Sequence, residues 1–276
     1  VKRSERLIVL TRMLVEHPGV SHGLNDFSRV VGGAKSTLSE DLALIRQVLD
    51  EQGLGRIQTL TGAGGGVTYI PALEVQDIEE KIQELCQELS SPRRILPGDF
   101  IYMADILYSP VWAWDIGRIF AEYFRPHQPE FVLTMETKGI PLATMTARAL
   151  NCPLLIIRRA HHVTEGPAVS INYISGSSRN IDSMSLPRRA LPTGARVVLV
   201  DDFMKAGGTA RGMLDLMQEF QARVQGIGVV MATADPAEKL VEDYLSLLTL
   251  GGLEDRRVDI RPSENGPPGS GVSKGG

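Results

Sequence analysis

The chain has 276 residues, 29 Lys and Arg against 33 Asp and Glu, a net charge of -4 and 43% hydrophobic residues. That length suits about two compact domains, and the apolar content is ample for their cores. The acidic balance excludes a polybasic coat for nucleic acid but leaves room for a local basic surface; no apolar run approaches the roughly 18 residues of a membrane span, and Cys86 and Cys152 lack metal spacing, so packed, reduced thiols and a cytoplasmic location are expected.

RSERLIVLTRMLVE, residues 3–16, places Leu7, Leu10, Met13 and Leu14 at helical spacing, and the turn HPGVSHG ends that helix. LNDFSRVVG follows, closed by Gly32 and Gly33. The next segment, AKSTLSEDLALIRQVLDEQG, carries Leu38, Leu42, Ile45 and Leu49 in one stripe, with Gly53 at its C-terminal cap. GRIQTLTGAGGGVTYIP reads as two short strands around a Gly-rich loop at 62–66. Three helices followed by a hairpin is the winged helix-turn-helix pattern, here over residues 1–73.

In such a unit the second helix of the motif lies in the major groove with its first turn facing the bases. Lys35, Ser36, Thr37 and Ser39 lie outside the Leu38/Leu42 stripe, so they are the candidates for base edges and phosphates. Arg56 and the Gly-rich loop would form the wing. Lys2 and Arg3 are further basic candidates on the first helix. Charge is the weak point, because Lys and Arg barely outnumber Asp and Glu in this stretch. A winged helix used for protein contacts is the competing reading.

LEVQDIEEKIQELCQEL, 73–89, reads as an amphipathic helix that connects or dimerises, and SSPRRILPGD as a Pro-rich boundary. Beyond it the apolar runs FVLTM, LLIIR, RVVLVD and GIGVVMA alternate with helical stretches at 139–150 and 208–222. That is α/β with a mainly parallel sheet. The expected division is a DNA-binding domain at 1–73, an effector domain at 74–262 entered through a linker helix at about 74–90, and a tail at 263–276, disordered by its SENGPPGSGVSKGG composition.

The richest chemistry lies in RVVLVDDFMKAGGTARGM. A buried strand delivers Asp201 and Asp202 to its carboxyl end, where open α/β sheets bind ligands. Then comes a turn of Lys205, Ala206, Gly207, Gly208 and Thr209, and a helix. Glycines let backbone N–H groups close around an anion, and the helix N-terminus adds a positive field. Paired carboxylates suit ribose hydroxyls or Mg²⁺ and repel phosphate. The stretch therefore asks for a sugar and a phosphate together. The G-x-x-x-x-G-K spacing of a Walker loop is absent.

This stretch resembles the phosphoribosyl pyrophosphate (PRPP) signature of type I phosphoribosyltransferases. FVLTMETKGIPLA is similar to that fold's pyrophosphate loop, which implies Thr137, Lys138 and Gly139 at the diphosphate. The resemblance implies cations at Arg158 and Arg159, a mobile active-site loop from 160 onward, and an effector set that includes Met204. His161 and His162 are adjacent, point apart and are not expected to bind metal. The stretches RILPG, TKGIPLA, VTEG, SINYISGSS, DDFMKAGGT and LSLLTL extend the likeness over roughly residues 3 to 255. They resemble the purine operon repressor family of Gram-positive bacteria, which joins a winged helix to a phosphoribosyltransferase-like domain. The resemblance implies a homodimer on double-stranded DNA upstream of purine genes, no resident cofactor, and release by PRPP carrying Mg²⁺ at Asp201 and Asp202.

Enzymes of this fold usually carry Thr before the Gly pair, where Ala206 stands here. The favoured reading is a non-catalytic sensor. The alternatives are an active purine phosphoribosyltransferase with an accessory DNA-binding module, and a protein-interaction adaptor with a vestigial pocket. Phe100 and Tyr102 share one face of an extended segment, and Phe203 follows the acidic pair. If they meet across the pocket they would sandwich a base, and a guanine nucleotide alarmone would then compete with PRPP as corepressor; otherwise they are core.

Overall fold

The computed structural model describes residues 2–60, 62, 65–96, 100–160, 166–174, 181–254 and 257–267. By contacts the chain divides into two compact units, one running to Glu74 with the short stretch Arg148–Asn151, the other comprising Val75–Ala147 and Cys152 onward.

The first unit contains α1 (Arg3–Glu16), β1 (Ser21–His22), α2 (Leu24–Val31), α3 (Lys35–Glu51), β2 (Arg56–Leu60) and β3 (Gly66–Ile70). Leu38, Leu42, Ile45 and Leu49 of α3 meet Leu10, Leu14, Phe27, Ile57, Val67 and Tyr69 in one core, as the helical stripe requires. Gly53 lies one residue past the Gln52 cap, at φ 61°, and Leu54 N–H reaches back to Leu49 O at 2.9 Å. Glycine suits this left-handed position, and the bond satisfies a carbonyl the helix would leave open.

The turn expected around Ser21 is instead a short strand. Ser21 and His22 pair with Thr68 and Val67, giving a three-stranded sheet of order β1-β3-β2. Two residues are too few to show strand alternation in sequence.

Asp41 on α3 is 1% exposed and accepts from Nε of Arg3 at 3.0 Å and from Nε of Arg6. The Arg6 bond above all, and Arg3 with it, holds its carboxyl below the usual range against the opposing effect of burial.

The second unit opens with α4 (Val75–Leu89), a 3-10 turn at Pro92–Arg94, β4 (Ile95–Leu96), β5 (Phe100–Ile101), α5 (Ala104–Leu107) and α6 (Pro110–Phe124). Then come β6 (Phe131–Met135), α7 (Ile140–Leu150), β7 (Leu154–Ile157), β8 (Ala168–Ile174) and β9 (Ile181–Pro187). The rest is β10 (Arg196–Met204), α8 (Gly208–Glu219), β11 (Arg223–Thr233), β12 (Tyr244–Glu254) and β13 (Arg257–Pro262). The main sheet has the order β13-β12-β11-β10-β6-β7 and is parallel except at β12–β13. Its core includes Leu133, Val197, Leu199, Met213, Leu216, Ile227 and Val229.

Three expectations change. The amphipathic helix α4 contacts β12 and β13 of its own unit, burying Ile78, Ile82, Leu85, Cys86 and Leu89, and the Cys86 thiol donates to Ile260 O at 3.1 Å. Its apolar stripe is therefore covered and not free to dimerise. The segment expected as a mobile loop contains, in its described parts, the paired antiparallel strands β8 and β9, with Tyr173 lying beside Gly212 of α8, while 161–165 and 175–180 lie outside the described residues. The expected disordered tail starts too early: Ser263 N–H bonds Leu247 O at 3.0 Å and Asn265 O accepts from Ser246 at 3.1 Å. The remainder of that tail, 268–276, lies outside the described residues.

Both thiols are shielded, and burial pushes Cys152 up to about 11. No helix among the described residues is long and apolar enough to cross a membrane.

Candidate functional site

In the main sheet β6 leads outward to β7 on one side and β10 to β11 on the other, so the strand order reverses between β6 and β10. Such a switch point opens a crevice at the carboxyl ends of the strands. The register shows where: β10 pairs with β6 only as far as Leu199↔Leu133, but with β11 out to Met204↔Ala232. The two chains part after Leu199 and Leu133 and leave a cavity of about 510 Å³.

Phe100, Thr137, Lys138, Arg159, Asp201, Asp202, Phe203, Met204, Lys205, Ala206, Gly208 and Thr209 all line this cavity, brought together from four stretches of chain. The other sequence candidates stand back from it. Gly139 lies underneath: a Cβ there would overlap the Thr134 hydroxyl and come within 3.1 Å of Asp201 Oδ1. Gly207 caps α8 at φ 84°, in the left-handed region. Tyr102 is held through its backbone, its N–H donating to Arg94 O at 2.8 Å. Arg158 is a correction: its guanidinium donates to Glu136 Oε2 at 3.2 Å, and its backbone pairs with Ser185.

Glu136 was missed by the sequence reading. It fixes the rim by accepting from Arg158 and from the Arg159 backbone N–H at 2.6 Å. Tyr173 was missed as well; it lies against Gly212 of α8, and burial pushes its hydroxyl up. Period-two placement of Val169, Ile171 and Tyr173 was the available signal.

The acidic pair is asymmetric. Burial first, and the adjacent Asp202 carboxylate second, push Asp201 well above the usual carboxylate range, while Arg159 opposes this. Facing the pair are three cations, Lys138, Arg159 and Lys205.

The turn after β10 is tied down from behind. Leu240 N–H donates to Ala206 O at 2.9 Å, and Gly207 O accepts from Arg211 at 2.8 Å. Peptide planarity then turns the Gly207 N–H away from Leu240. This loop at a helix N-terminus has the form of an anion cradle. Among the described residues there is no group of three or more His, Cys, Asp or Glu that could hold a metal ion. His161 and His162 lie outside the described residues.

Phe100 is 64% exposed and Phe203 is 36% exposed, so both stand at the mouth of the cavity and neither is core. Tyr102 is also exposed but does not line it.

In the first unit Lys35, Ser36 and Ser39 are exposed at the start of α3, and Thr37 is half-buried. Ser39 Oγ donates to Lys35 O at 2.9 Å. The other basic candidates are partly committed. Arg3 pairs with Asp41, and Arg56 with Glu74 at 3.2 Å. Arg6, Arg12 and Arg29 likewise hold Asp41, Glu16 and Asp26. Lys2, at the cap of α1, and Lys35 take part in none of these ion pairs. Arg46 is the cation that sequence reading overlooked. It lies on the same face of α3 as Lys35 and Ser39, donates to the Thr59 hydroxyl of β2, and lines a hollow of about 380 Å³ between helix and hairpin.

The comparisons agree with both units. The description "Bacterial purine repressor, N-terminal" fits residues 2–71, and "Phosphoribosyl transferase domain" fits residues 104–251. The chain is 46% identical over 262 residues to the purine biosynthesis transcriptional repressor PurR of Bacillus subtilis, covering 94% of this chain and 92% of that protein. It is 39% identical to the purine biosynthesis transcriptional activator PurR of Lactococcus lactis, covering 95% and 97%. A xanthine phosphoribosyltransferase of Streptococcus pneumoniae is 30% identical over 156 residues, 54% of this chain and 81% of that enzyme. Among solved structures, adenine phosphoribosyltransferase of Rhodothermus marinus superposes with TM-score 0.52 at 19% identity, over 62% of this chain and 99% of that one, which shows a shared fold.

Proposed function

The chain belongs to the bacterial purine repressor family, and from that premise we propose that it represses purine biosynthesis genes as a DNA-bound homodimer and is released by PRPP. The observation that carries this reading is the switch-point cavity, where an acidic pair, an anion cradle and three cations sit on the same chain as a DNA-reading unit. The acidic pair takes the ribose hydroxyls and the pyrophosphate-borne Mg²⁺. Lys205 to Thr209 take the 5′-phosphate, and Thr137 with Lys138 the diphosphate. Phe100 and Phe203 at the mouth accept the base of a guanine nucleotide, which competes with PRPP and favours the DNA-bound state.

Binding alone gives no rate, because catalysis requires interactions that strengthen in the transition state. A sensor needs only that PRPP prefer the state that binds DNA poorly; DNA then weakens PRPP by the same factor. The test is fluorescence anisotropy on DNA from upstream of the organism's purine genes, with and without PRPP and Mg²⁺ at fixed salt. Binding that PRPP reverses supports the sensor. No DNA binding, together with pyrophosphate release from PRPP and a free purine base, would put the enzyme reading in its place.

Asp202→Ala or Lys205→Ala should leave DNA affinity unchanged without PRPP and raise the PRPP needed for release by about tenfold, the loss of one charge-assisted contact of roughly 1.5 kcal/mol. Lys35→Ala and Arg46→Ala should do the reverse, weakening DNA binding and each lowering the slope of log affinity against log salt by about 0.9. An unchanged slope would place these cations away from the DNA backbone.

A further inference from the structure

The exposed aromatic wall of the cavity needs a support that its own strands do not supply. Among the described residues β4 and β5 make only the pairs Ile95↔Ile101 and Leu96↔Phe100. A hairpin that short is not stable alone in water. Phe100 itself is mostly in solvent, so packing does not fix it.

Arg94 supplies the missing anchorage. Its Nη1 and Nη2 donate to the Asp105 carboxylate at 2.7 and 3.0 Å, a bidentate fork. Nη1 also reaches Tyr102 O at 3.1 Å, and Nε reaches Glu88 O at 2.8 Å. The carbonyl of Arg94 accepts the Tyr102 N–H at 2.8 Å. The side chain is only 12% exposed. One guanidinium thus joins the end of α4, the backbone just beyond Phe100 and the first turn of α5. The anion side of the cavity stands on the ends of β6 and β10 and, among the described residues, bonds none of these groups.

We propose that Arg94 is the positioning residue for the aromatic wall, so that a purine-bearing ligand depends on it and a base-free phosphoribosyl ligand does not. The idea rests on the ligand reading of the cavity. Lysine cannot substitute, because an ammonium lacks the planar fork that spans Asp105 and Tyr102 together.

The experiment compares the full chain with Arg94→Lys and with the milder Asp105→Asn, in two arms. Without ligand, hydrogen exchange over 100–107 should quicken by about tenfold in both variants, while 131–143 and 196–213 keep their rates. By calorimetry, affinity for GDP should fall about tenfold, the worth of one stacked base, and affinity for PRPP with Mg²⁺ should stay within about twofold. The proposal is overturned if exchange over 100–107 is unchanged, if both ligands weaken together, or if Arg94→Lys behaves as the parent. A parent protein that takes PRPP but not GDP also overturns it and leaves the sensor reading standing. A parent that takes neither removes the sensor reading itself.

Discussion

Asp41→Ala is expected to remove more than half of the first unit's stability and so weaken DNA binding, with ligand binding by the second unit retained. Asp41 is buried beneath two arginines, and Arg6 is itself mostly buried. Removing the carboxylate leaves the Arg6 charge without its partner, a change that costs about 3 kcal/mol or more. A unit of this size has roughly 5 kcal/mol to lose. Thermal unfolding followed by circular dichroism should show an early transition absent from the parent, and anisotropy should show DNA binding lost over the temperature range of that transition. An unshifted melt would mean that Arg3 and Arg6 find other partners.

The same ion cluster sets a direction with pH. The Arg6 bond lowers the folded-state pKa of Asp41, so its contribution is present above the carboxylate's unfolded value and is lost as pH falls through the folded one. The first unit should therefore lose stability in acid below about pH 4, near the ordinary Asp value.

Gly139→Ala should disable ligand binding with little effect on DNA binding. The added methyl would overlap the Thr134 hydroxyl, which is fully buried and bonded to Met135 O, and would press on Asp201 at 3.1 Å. A buried threonine has no open space to move into, so the loop bearing Thr137 and Lys138 or the carboxyl end of β10 must shift instead. Either movement separates groups that hold one ligand. PRPP affinity by calorimetry should drop about a hundredfold, roughly 2.7 kcal/mol. Loss of less than threefold would show that the cavity tolerates the shift and that Gly139 serves only the start of α7.

The sequence made the central strands legible because Val197 to Val200 and Phe131 to Met135 are unbroken apolar runs that end at charged turns. The helix of the first unit was legible for the opposite reason, a stripe with contrast between Leu38/Leu42 and the serines beside them. α6 escaped because seven of its residues are buried, Ala113, Ile116, Gly117, Ile119, Phe120, Ala121 and Phe124, leaving little polar contrast; its readable mark was Ser109 capping ahead of Pro110. Arg158 and Arg159 look alike in sequence, yet just past the end of β7 they take different partners. Glu136 claims the first guanidinium, and the second lines the cavity. Arg94 was beyond reach, since its partners lie at Glu88 and Asp105 and meet only in the fold. The charge count of the first unit was visible, but not which arginines were already engaged.

On the proposed repressor reading, that engagement sets how hard the DNA is held. With Arg3, Arg6, Arg12, Arg29 and Arg56 paired to carboxylates of their own unit, the proposed reading leaves Lys2, Lys35 and Arg46 as the cations each copy offers to phosphates. Three such contacts give a salt slope of about −2.7 per copy, shallow for a gene regulator. A light hold is a dischargeable one. An allosteric coupling of about 1–3 kcal/mol, or roughly 5- to 150-fold in affinity, then suffices to empty an operator. Had those five arginines faced the duplex, the same metabolite would have had to perform several times that work, and gene expression would have answered only to extreme swings in its concentration.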